Sequence, residues 1–478
     1  MLWIALDFQC LPLEAFPSVS AQAEPWVIAD GADVLVCNAE AHALGARAGM
    51  RLSAACALAP GLNYRLRDTV AEAAALDTLA AWAGQFTPNV SLEPARALLL
   101  DIEGSLRLFG GIRPILQALK RGLDDMGYSA TMACAPTATA ALLLARAGRE
   151  KIVHCQRALE AAVATLLLTV IERNTPAVQT LHAAGVKNIG GLLALPRDGV
   201  ARRGGRLILD SVDRALGRLP APRQFFTPPA RFDVKLELAA PVTQNEALLF
   251  AAKRLLAQLA GFLAARNGGV QHLALTLLHE RGAATRVEIG LVTPTRDSAH
   301  LTLLARERLA ALSLQAPVHA LRIEANDILV LAQENRELFA DRAGSPGEWQ
   351  KLVERLRARL GAEAVHGLAA CAEHRPERAW RTTQPGTASA APACGPRPPR
   401  PLWLLNQPQP LREIAARPHY RENALALVAG PERIESGWWD GDDVKRDYFV
   451  AQTLDHATLW IYRERRAPGG WYLHGVFS

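Results

Sequence analysis

Cysteine is scarce in this chain of 478 residues, and its seven copies are scattered without any CxxC pair. The sequence therefore favours neither zinc sites nor a disulfide framework, and it is typical of a reducing cytoplasm. The longest apolar run, 161–171, is too short to span a bilayer. No basic region precedes the short apolar run at the N-terminus, and Asp7 interrupts that run. We therefore expect a cytoplasmic protein without a secretory signal or a membrane contact.

Aromatic residues make up only 6% of the chain, whereas hydrophobic residues as a whole make up 50%. This composition, rich in alanine and leucine, favours a helix-rich globular protein over a disordered one. A chain of 478 residues is too long for one core, so several modules are expected. The net charge of +6 and the sequence pI near 9.0 favour an anionic partner such as DNA, although proteins of other functions reach the same charge.

Two apolar segments carry acidic residues. The N-terminal MLWIALDF is predicted to be a strand with Asp7 near its end, and LLLDI is predicted to be a second, buried strand with Asp101. The alternation in the following EGSLRLF predicts that this second strand continues to the glycine pair, which puts Asp101 and Glu103 on one face. Two-metal phosphoryl transfer needs carboxylates on neighbouring strands. A solvated turn or a half-exposed strand places carboxylates in the same way.

The order of these segments resembles the Y-family translesion DNA polymerases, which carry VDFDxFFAxVE near the start and SIDEAYLDxTG about a hundred residues later. Aligned on the second motif without a gap, DIEGSLRLFGG puts Glu103 at the first acid and Gly104 at the second, metal-binding acid. Asp7 matches the invariant acid of the first motif, while Gln9 stands where many relatives have aspartate. The resemblance is greatest to a catalytically degenerate branch of bacterial damage-inducible mutagenesis cassettes, whose members recruit other proteins.

The phosphate-binding motifs of the family are altered in this chain as well. Ala39 and His42 stand where the fingers motif YEARxxGVxxGM has its phosphate-binding tyrosine and arginine, and Leu142 stands at the lysine of GISxNKxxAKxA. Alanine and leucine cannot make a charge-assisted contact with a triphosphate. His42 by itself is typical of a helix surface. The resemblance therefore implies no catalytic site, no metal and no cofactor, with Asp7, Asp101 and Glu103 as remnants.

The resemblance implies an α+β multidomain right hand with a small β-rich module at its C-terminus. The expected domains are palm (1–10 and 70–150), fingers (11–69), helical thumb (151–227), little finger (228–332), clamp-binding motif and helix (333–376), flexible linker (377–400) and partner-binding region (401–478). Helices are expected to pack on one face of the palm sheet. Lys235, Arg281 and Arg286 of the little finger are candidates for contact with the DNA backbone. The five tryptophans after residue 400 are expected to be mostly core.

The predicted thumb contains LHAAGVKNIGGLLALP, a helix-turn-helix pattern with Gly185 at the turn. The pattern resembles a helix-hairpin-helix motif, in which backbone amides at a helix N-terminus hold a DNA phosphate without reading sequence. A basic cluster follows, which supports phosphate binding. The alternative is an ordinary helical hairpin with a solvated basic end. The candidate DNA-binding residues are Gly185, Lys187, Gly190, Arg197, Arg202, Arg203 and Arg206.

A degenerate form of the QLxLF peptide that binds the bacterial beta sliding clamp follows the predicted little finger, in AQENRELFADRAG. Leu338 and Phe339 are the candidate anchors, with Asn335 or Gln333 in the glutamine position. Short apolar anchors between polar residues suit groove recognition. The alternative is a buried corner between a strand and a helix, in which both anchors would be core.

The resemblance implies a non-catalytic adaptor in damage-induced translesion synthesis, induced with the SOS response. Its implied partners are primer-template DNA, the sliding clamp, an ImuA-type, RecA-like accessory protein and an error-prone C-family DNA polymerase, with association to the nucleoid after damage. One rival is a weakly active translesion polymerase that binds Mg²⁺ through Asp7 with Glu103 or Asp101. A second rival is a protein scaffold that never touches DNA, which the basic thumb argues against.

Overall fold

The computed structural model describes residues 1–16, 24–171, 175–331, 346–385 and 398–477. The chain forms two compact units, Met1–Leu360 and Gly361–Ser478. The first unit mixes helices with strands, and the second is rich in strands. This organisation confirms the predicted α+β, multidomain class.

Two sheets form in the first 135 residues. Their strands are β1 (Trp3–Asp7), β2 (Trp26–Asp30), β3 (Asp33–Cys37), β4 (Asn63–Leu66), β5 (Val90–Glu93), β6 (Ala97–Asp101) and β7 (Thr131–Ala135). The larger sheet is antiparallel with the order β5-β6-β1-β7, and the smaller has the order β3-β2-β4. The helices of this part are α1 (Leu11–Glu14), α2 (Ala39–Ala43), α3 (Leu52–Leu58), α4 (Thr69–Ala83), α5 (Leu106–Phe109), α6 (Ile112–Asp125) and α7 (Ala138–Arg146).

Both faces of the larger sheet are buried. Trp3 and Ala5 of β1 pack on the side of α7, whereas Ile4 and Leu6 pack on the side of α4 and α6. The prediction that helices cover one face is therefore wrong. An uninterrupted apolar run such as ALLL in β6 is typical of a strand that is covered on both sides, because neither set of alternate side chains meets water.

The prediction that the second strand runs through EGSLRLF is also wrong. Strand β6 ends at Asp101, a 3₁₀ turn spans Glu103–Ser105, and α5 follows. Leu108 is 82% exposed, so its alternation with polar neighbours does not mark a buried face. Alternation over four residues also fits one helical turn, and Gly110 ends that turn in the left-handed region at φ 73°.

A helical segment follows and shares the core of the Trp3 face. Its helices are α8 (Gln156–Ala164), α9 (Pro176–Ala183), α10 (Ile189–Leu193), α11 (Arg197–Val200) and α12 (Arg206–Ala215), with a 3₁₀ turn at Leu168–Val170 and a kinked turn at Ala201–Gly205. Leucine, valine and isoleucine side chains of these helices form one cluster with α7 and the sheet. The segment is thus anchored to α7 and to the Trp3 face of the sheet.

A five-stranded sheet with two long helices completes the first unit. The elements are β8 (Phe232–Val242), α13 (Asn245–Ala265), β9 (Gly268–His279), β10 (Thr285–Thr295), α14 (Ser298–Ala310), β11 (Val318–Ala325) and β12 (Ile328–Val330), followed by α15 (Pro346–Leu360). The order is β10-β9-β11-β8, with β12 also paired to β9. Among the described helices, α13 alone is long and apolar enough to cross a membrane, and 61% of its apolar window is buried against the chain itself.

The second unit is built on a seven-stranded antiparallel sheet of order β17-β16-β15-β21-β20-β19-β18. Its strands are β13 (Gly367–Ala370), β14 (Trp380–Thr383), β15 (Trp403–Ile414), β16 (Arg417–Tyr420), β17 (Asn423–Ala424), β18 (Ala426–Ser436), β19 (Val444–Gln452), β20 (Thr458–Glu464) and β21 (Gly470–Val476). β13 and β14 pair separately, and 3₁₀ turns span Ala362–Ala364 and Pro376–Arg378. The predicted linker at 377–400 is therefore wrong in its first part, because 380–383 is a paired strand.

The five tryptophans after residue 400 divide between core and surface. Trp460 and Trp471 are buried, whereas Trp403, Trp438 and Trp439 are 71%, 80% and 58% exposed. The expectation that most of them are core is wrong. Trp403, Trp460 and Trp471 lie within paired strands, whereas Trp438 and Trp439 lie in a loop. A place in a strand therefore does not by itself bury a tryptophan, because one face of a strand can meet water.

The buried His474 makes the stability of this sheet depend on pH. Its Nδ1 lies 2.8 Å from the hydroxyl oxygen of Tyr448, and burial lowers the pKa of His474 from 6.5 to about 4. Between pH 6.5 and pH 4, His474 binds a proton in the unfolded chain but not in the folded chain. The contribution of His474 to the free energy of unfolding is therefore fully present above pH 6.5 and is lost as the pH falls towards 4. We expect the second unit to lose about 3 kcal/mol over this window.

Hydrogen exchange of peptides from 458–476, corrected for the intrinsic rate, measures this effect in the full chain. His474→Gln has no titrating group at this position, so its protection should vary much less between pH 7 and pH 4.5. Equal pH dependence in both proteins would contradict the assignment to His474.

Candidate functional site

Asp7 ends strand β1 with a fully buried carboxylate that is paired to an arginine. Its Oδ1 accepts a hydrogen bond of 3.0 Å from Nε of Arg96, while its Oδ2 has no hydrogen-bond partner. Arg96 lies in the turn between β5 and β6, and its carbonyl oxygen accepts a bond of 2.9 Å from the amide of Phe8. Backbone and side chain of Arg96 are thus both held at the end of β1. The Asp7 carboxylate is neutralised by a resident guanidinium.

The other predicted acids lie at the opposite end of the sheet. In the register of β1 and β6, Asp7 pairs with Ala97 and Asp101 pairs with Trp3. Four residues of antiparallel strand separate the two carboxylates by roughly 13 Å. Glu103 lies beyond Asp101 and forms an ion pair with the N-terminal amine. A metal site made of Asp7 with Glu103 or Asp101 is therefore ruled out by the register of the sheet.

The acid that shares the end of the sheet with Asp7 is Glu93, which the sequence prediction missed. Glu93 on β5 pairs with Ala97 of β6, directly across from the pairing of Asp7. Its carboxylate lies 2.6 Å from Nη1 of Arg223 and 3.6 Å from Nη2 of Arg146. The signal in the sequence was the hairpin VSLE-PAR-ALLLD, whose first strand ends on a carboxylate.

The position of Glu93 bears on the predicted remnants of the metal site. The gapless alignment put Glu103 at the first acid of the second family motif, but Glu103 lies at the end of the sheet away from Asp7, whereas Glu93 lies at the same end as Asp7. Pro94, the residue after Glu93, has no carboxylate.

These residues do not fit a pair of divalent cations. Two metal ions need several carboxylates that converge on one point. Here the two carboxylates of this sheet end each face guanidinium groups, and Pro94 offers no ligand. Within the described ranges, no three His, Cys, Asp or Glu side chains come together in a possible metal site.

A cavity of about 390 Å³ opens beside this end of the sheet. The lining is basic, because it contains three arginines, Arg67, Arg96 and Arg146, and one acidic residue, Glu72. Glu72 is buried, and its two oxygens accept bonds of 2.9 Å each from Arg67, which raises the pKa of Arg67 further. The other lining residues are Gln9, Pro12, Leu35, Val36, Pro94, Ala95, Thr169, Val170 and Ile171.

The predicted nucleotide-site positions lie on two helices. Ala39 and His42 are exposed on α2, which begins after Asn38, whose side chain accepts a bond from the amide of Ala41. Leu142 on α7 is 4% exposed and belongs to the core of the Trp3 face. One turn further along α7, Arg146 reaches the cavity and Glu93. Arg146, the basic residue of α7, is thus paired with Glu93.

The helix-turn-helix in the predicted thumb is present. Helix α9 ends at Ala183, Gly185 adopts φ 83°, and α10 begins after Asn188, which caps the amide of Gly191 at 2.8 Å. A Cβ on Gly190 would lie 3.1 Å from the carbonyl oxygen of Ala164, so this glycine permits a close approach of α10 to α8. Lys187 is exposed in the turn.

The four predicted arginines of this region fall into two classes. Arg197 makes a two-pronged ion pair with Asp213, whose side chain is 7% exposed, so Arg197 has a structural partner. Arg202, Arg203 and Arg206 are exposed and have no ion pair among the described residues. They lie on or just after the kinked turn, where Arg203 and Gly204 leave helical geometry and Gly204 adopts φ 81°. The three residues form a compact basic patch.

Two of the basic candidates on the five-stranded sheet are also paired. Nζ of Lys235 lies 3.4 Å from Oε1 of Glu237, and Nε of Arg286 lies 2.6 Å from Oε1 of Glu288. Arg281 is exposed in a loop. The predicted clamp-binding residues Gln333, Asn335, Leu338 and Phe339 lie outside the described residues.

Comparison with known proteins shows to which family the chain belongs. Residues 13–146 match the model of the impB/mucB/samB family. Protein ImuB of Caulobacter vibrioides, in strains NA1000 / CB15N and ATCC 19089, is 30% identical over 458 residues, which covers 91% of this chain and 100% of the relative. Solved structures of Dbh (ternary complex) and of DinB from Sulfolobus solfataricus match at 15% and 16% identity, with TM-scores of 0.41 and 0.39. They cover 69% and 70% of this chain and 100% of their own. At this identity and coverage, the chain belongs to the ImuB family.

Proposed function

We propose that this chain is a non-catalytic, Y-family-like adaptor in damage-induced translesion synthesis and mutagenesis. The observation that carries the proposal is the pairing of Asp7 with Arg96 at the place where an active relative would hold divalent cations. Phosphoryl transfer of this kind depends on metal ions that bridge the attacking and leaving oxygens. Arg96 is held beside Asp7 by the turn in which it lies. Its guanidinium supplies positive charge, but it cannot coordinate the attacking and leaving oxygens as a metal ion does.

In the proposed division of labour, residues 1–10 and 70–150 act as palm, 11–69 as fingers, 151–227 as thumb and 228–332 as little finger. The thumb holds primer-template DNA through the helix-turn-helix around Gly185 and the basic patch of Arg202, Arg203 and Arg206. Exposed arginines without carboxylate partners suit phosphate contacts, which fix position without reading sequence. Arg197 is left out of this contact, because Asp213 holds it.

Two further contacts complete the proposed adaptor. Residues 333–339 dock on the sliding clamp, a role that rests on their sequence and on their position after the little finger. Residues 401–478 recruit an ImuA-type, RecA-like accessory protein and an error-prone C-family polymerase. Three exposed tryptophans in this part of the chain support a protein-binding role. The proposed location is the cytoplasm, at the nucleoid after damage.

Primer extension by the purified full chain tests the absence of catalysis. We expect no incorporation with Mg²⁺ or Mn²⁺ on undamaged or abasic templates with the clamp loaded, while the same preparation binds primer-template DNA. Asp7→Ala and the matched Asp101→Ala, at the other end of the sheet, should behave like the wild type. Incorporation by the wild type that disappears only in Asp7→Ala would make the chain a polymerase and overturn the proposal.

A further inference from the structure

Two helices of the four-stranded sheet pack closely against α13 of the five-stranded sheet. Trp82 of α4 is 4% exposed and lies between Gly122 of α6 and Gly261 of α13, where a Cβ on either glycine would overlap the indole. Directly after α4, a Cβ on Gly84 would lie 3.2 Å from the Cβ of Ala265 at the end of α13. The glycines thus let three helices approach one another around a single tryptophan.

A buried arginine of α13 is bonded across the same junction. Arg254 is 8% exposed, and its Nη2 donates a hydrogen bond of 2.7 Å to the carbonyl oxygen of Glu14 in α1. Its guanidinium carbon lies 4.4 Å from the centroid of the Tyr128 ring, a distance that suits a cation–π contact. Burial raises the pKa of the Glu14 carboxyl, and the positive charge of Arg254 opposes that shift. Withdrawal of α13 would therefore leave a buried acidic group without this cation.

The apolar cores of the two sheets also meet at this junction. Ala81 of α4 belongs to the core of the five-stranded sheet, whereas Ala257 of α13 packs against the core of the four-stranded sheet. Phe226, in the segment between α12 and β8, packs against both cores. Separation of the two parts would expose these apolar side chains to water, which is unfavourable in proportion to the area exposed.

The segment between α12 and β8 is bonded to both parts. The amide of Phe226 donates a hydrogen bond of 2.7 Å to the carbonyl oxygen of Val90 on β5, and Arg223 is paired with the carboxylate at the end of the same strand. Arg266, directly after α13, donates a bond of 3.2 Å to the carbonyl oxygen of Pro228. A rotation of the five-stranded sheet away from the four-stranded sheet would have to break these bonds.

These contacts decide whether the two parts move separately. Domains that meet through a small polar interface move relative to each other by default, whereas a large apolar interface suppresses that motion. Here a buried tryptophan, a buried arginine and a shared core join the two. We propose that the palm and the little finger, as defined above, form one rigid body, and that the chain binds primer-template DNA without moving one against the other. The DNA part of this inference rests on the proposed function, whereas the rigid junction does not.

A fixed spacing between palm and little finger suits a protein that holds DNA. An enzyme that adds nucleotides must shift its hold on the duplex by one base pair after each addition, whereas an adaptor keeps one position until another protein takes over. Because the two parts are ordered against each other before binding, association with DNA should show no slow step of domain closure.

A disulfide between the two parts tests the inference in the full chain. The double variant Gly84→Cys and Ala265→Cys has its Cβ positions 3.2 Å apart, close to the roughly 3.8 Å of a disulfide. Oxidation of the DNA-free chain with diamide should link the two thiols almost completely, as measured by mass mapping of the bridged peptides. The linked and the reduced forms should then bind primer-template DNA with the same Kd and association rate, within about twofold. Gly84→Cys alone, oxidised in the same way, is the control for the native cysteines.

Hydrogen exchange of the DNA-free chain gives a second readout. Trp82→Phe leaves a gap in the junction, so it should weaken both parts together. Exchange corrected for intrinsic rates should become about tenfold faster in peptides of both β6 and β9. A change confined to β6 would mean that the two parts open separately, and it would overturn the inference.

The DNA measurements separate the inference from the function on which it rests. A linked form whose Kd differs about tenfold from that of the reduced form would overturn the inference, because binding would then involve movement at the junction. Thiols that oxidation leaves unlinked would also overturn it, since the two positions would not stay adjacent. If neither form binds DNA while exchange changes in both strands, the DNA-binding part of the proposed function fails and the rigid junction is upheld.

Discussion

Replacing Arg96 by alanine is expected to lower the free energy of unfolding of the first unit by about 3 kcal/mol. Asp7 is fully buried, with Oδ1 bonded to Arg96 and Oδ2 without a hydrogen-bond partner. Removal of the guanidinium leaves a buried carboxylate without a counter-charge, and breaking such a pair costs about 3–5 kcal/mol. The 35% exposure of the Arg96 side chain places the expected loss at the lower end of this range.

Denaturant unfolding of the full chain, with and without Mg²⁺, measures this effect. Adding Asp7→Asn to Arg96→Ala removes the unpaired charge and should restore most of the lost stability. Mg²⁺ should leave the unfolding curve of the wild type unchanged, because Arg96 already neutralises Asp7. A wild type that Mg²⁺ stabilises, together with an Arg96→Ala variant of normal stability, would mean that a metal and not the arginine is the partner of Asp7.

The combined change of Arg202, Arg203 and Arg206 to alanine is expected to weaken binding of primer-template DNA by about 100-fold at physiological salt. Each phosphate contact contributes about 0.9 to the slope of log K against log salt, so the slope should fall by roughly 2.7. The three side chains are exposed on or beside a kinked turn and have no ion pair among the described residues. A fluorescence anisotropy titration at several salt concentrations gives both quantities.

Arg197→Ala is the matched control for this experiment. Arg197 belongs to the same basic run in the sequence, but its guanidinium is paired with the nearly buried Asp213. Its loss should lower stability and leave the salt slope unchanged. If the triple variant binds DNA as tightly as the wild type, the basic patch does not contact DNA. If the wild type itself shows no salt-dependent binding, the chain is a scaffold that does not touch DNA.

The sequence predicted best those elements whose signal is local. The strand predicted in MLWIALDF is observed as β1, and the buried strand predicted in LLLDI is observed at the end of β6. The turn at Gly185 was also predicted, because a left-handed glycine between two helices is a local requirement. In these cases the period of apolar residues and the turn residues carry enough information on their own.

The candidate site was predicted less well, because it depends on register. From the sequence, Asp7 was grouped with Asp101 and Glu103 because all three follow apolar runs. The antiparallel pairing of β1 with β6 sends Asp101 to the far end of the sheet, and the β5–β6 hairpin brings Glu93 and Arg96 to Asp7 instead. A shift in pairing changes which side chains meet, and nothing in a single strand reveals that pairing.

By itself, the sequence determined the class of the chain and its family resemblance, and it predicted that Ala39, His42 and Leu142 stand in place of phosphate ligands. These inferences follow from residue identity and order, since neither alanine nor leucine carries a charge in any fold. Only the tertiary structure decided that Arg96 neutralises Asp7, that Asp213 removes Arg197 from the basic patch, and that Glu93 is paired with Arg146 and Arg223. The physical reason is that electrostatic and hydrogen-bond partners act over a few ångströms, whereas Asp7 and Arg96 stand 89 positions apart in the chain and Glu93 and Arg223 stand 130 apart.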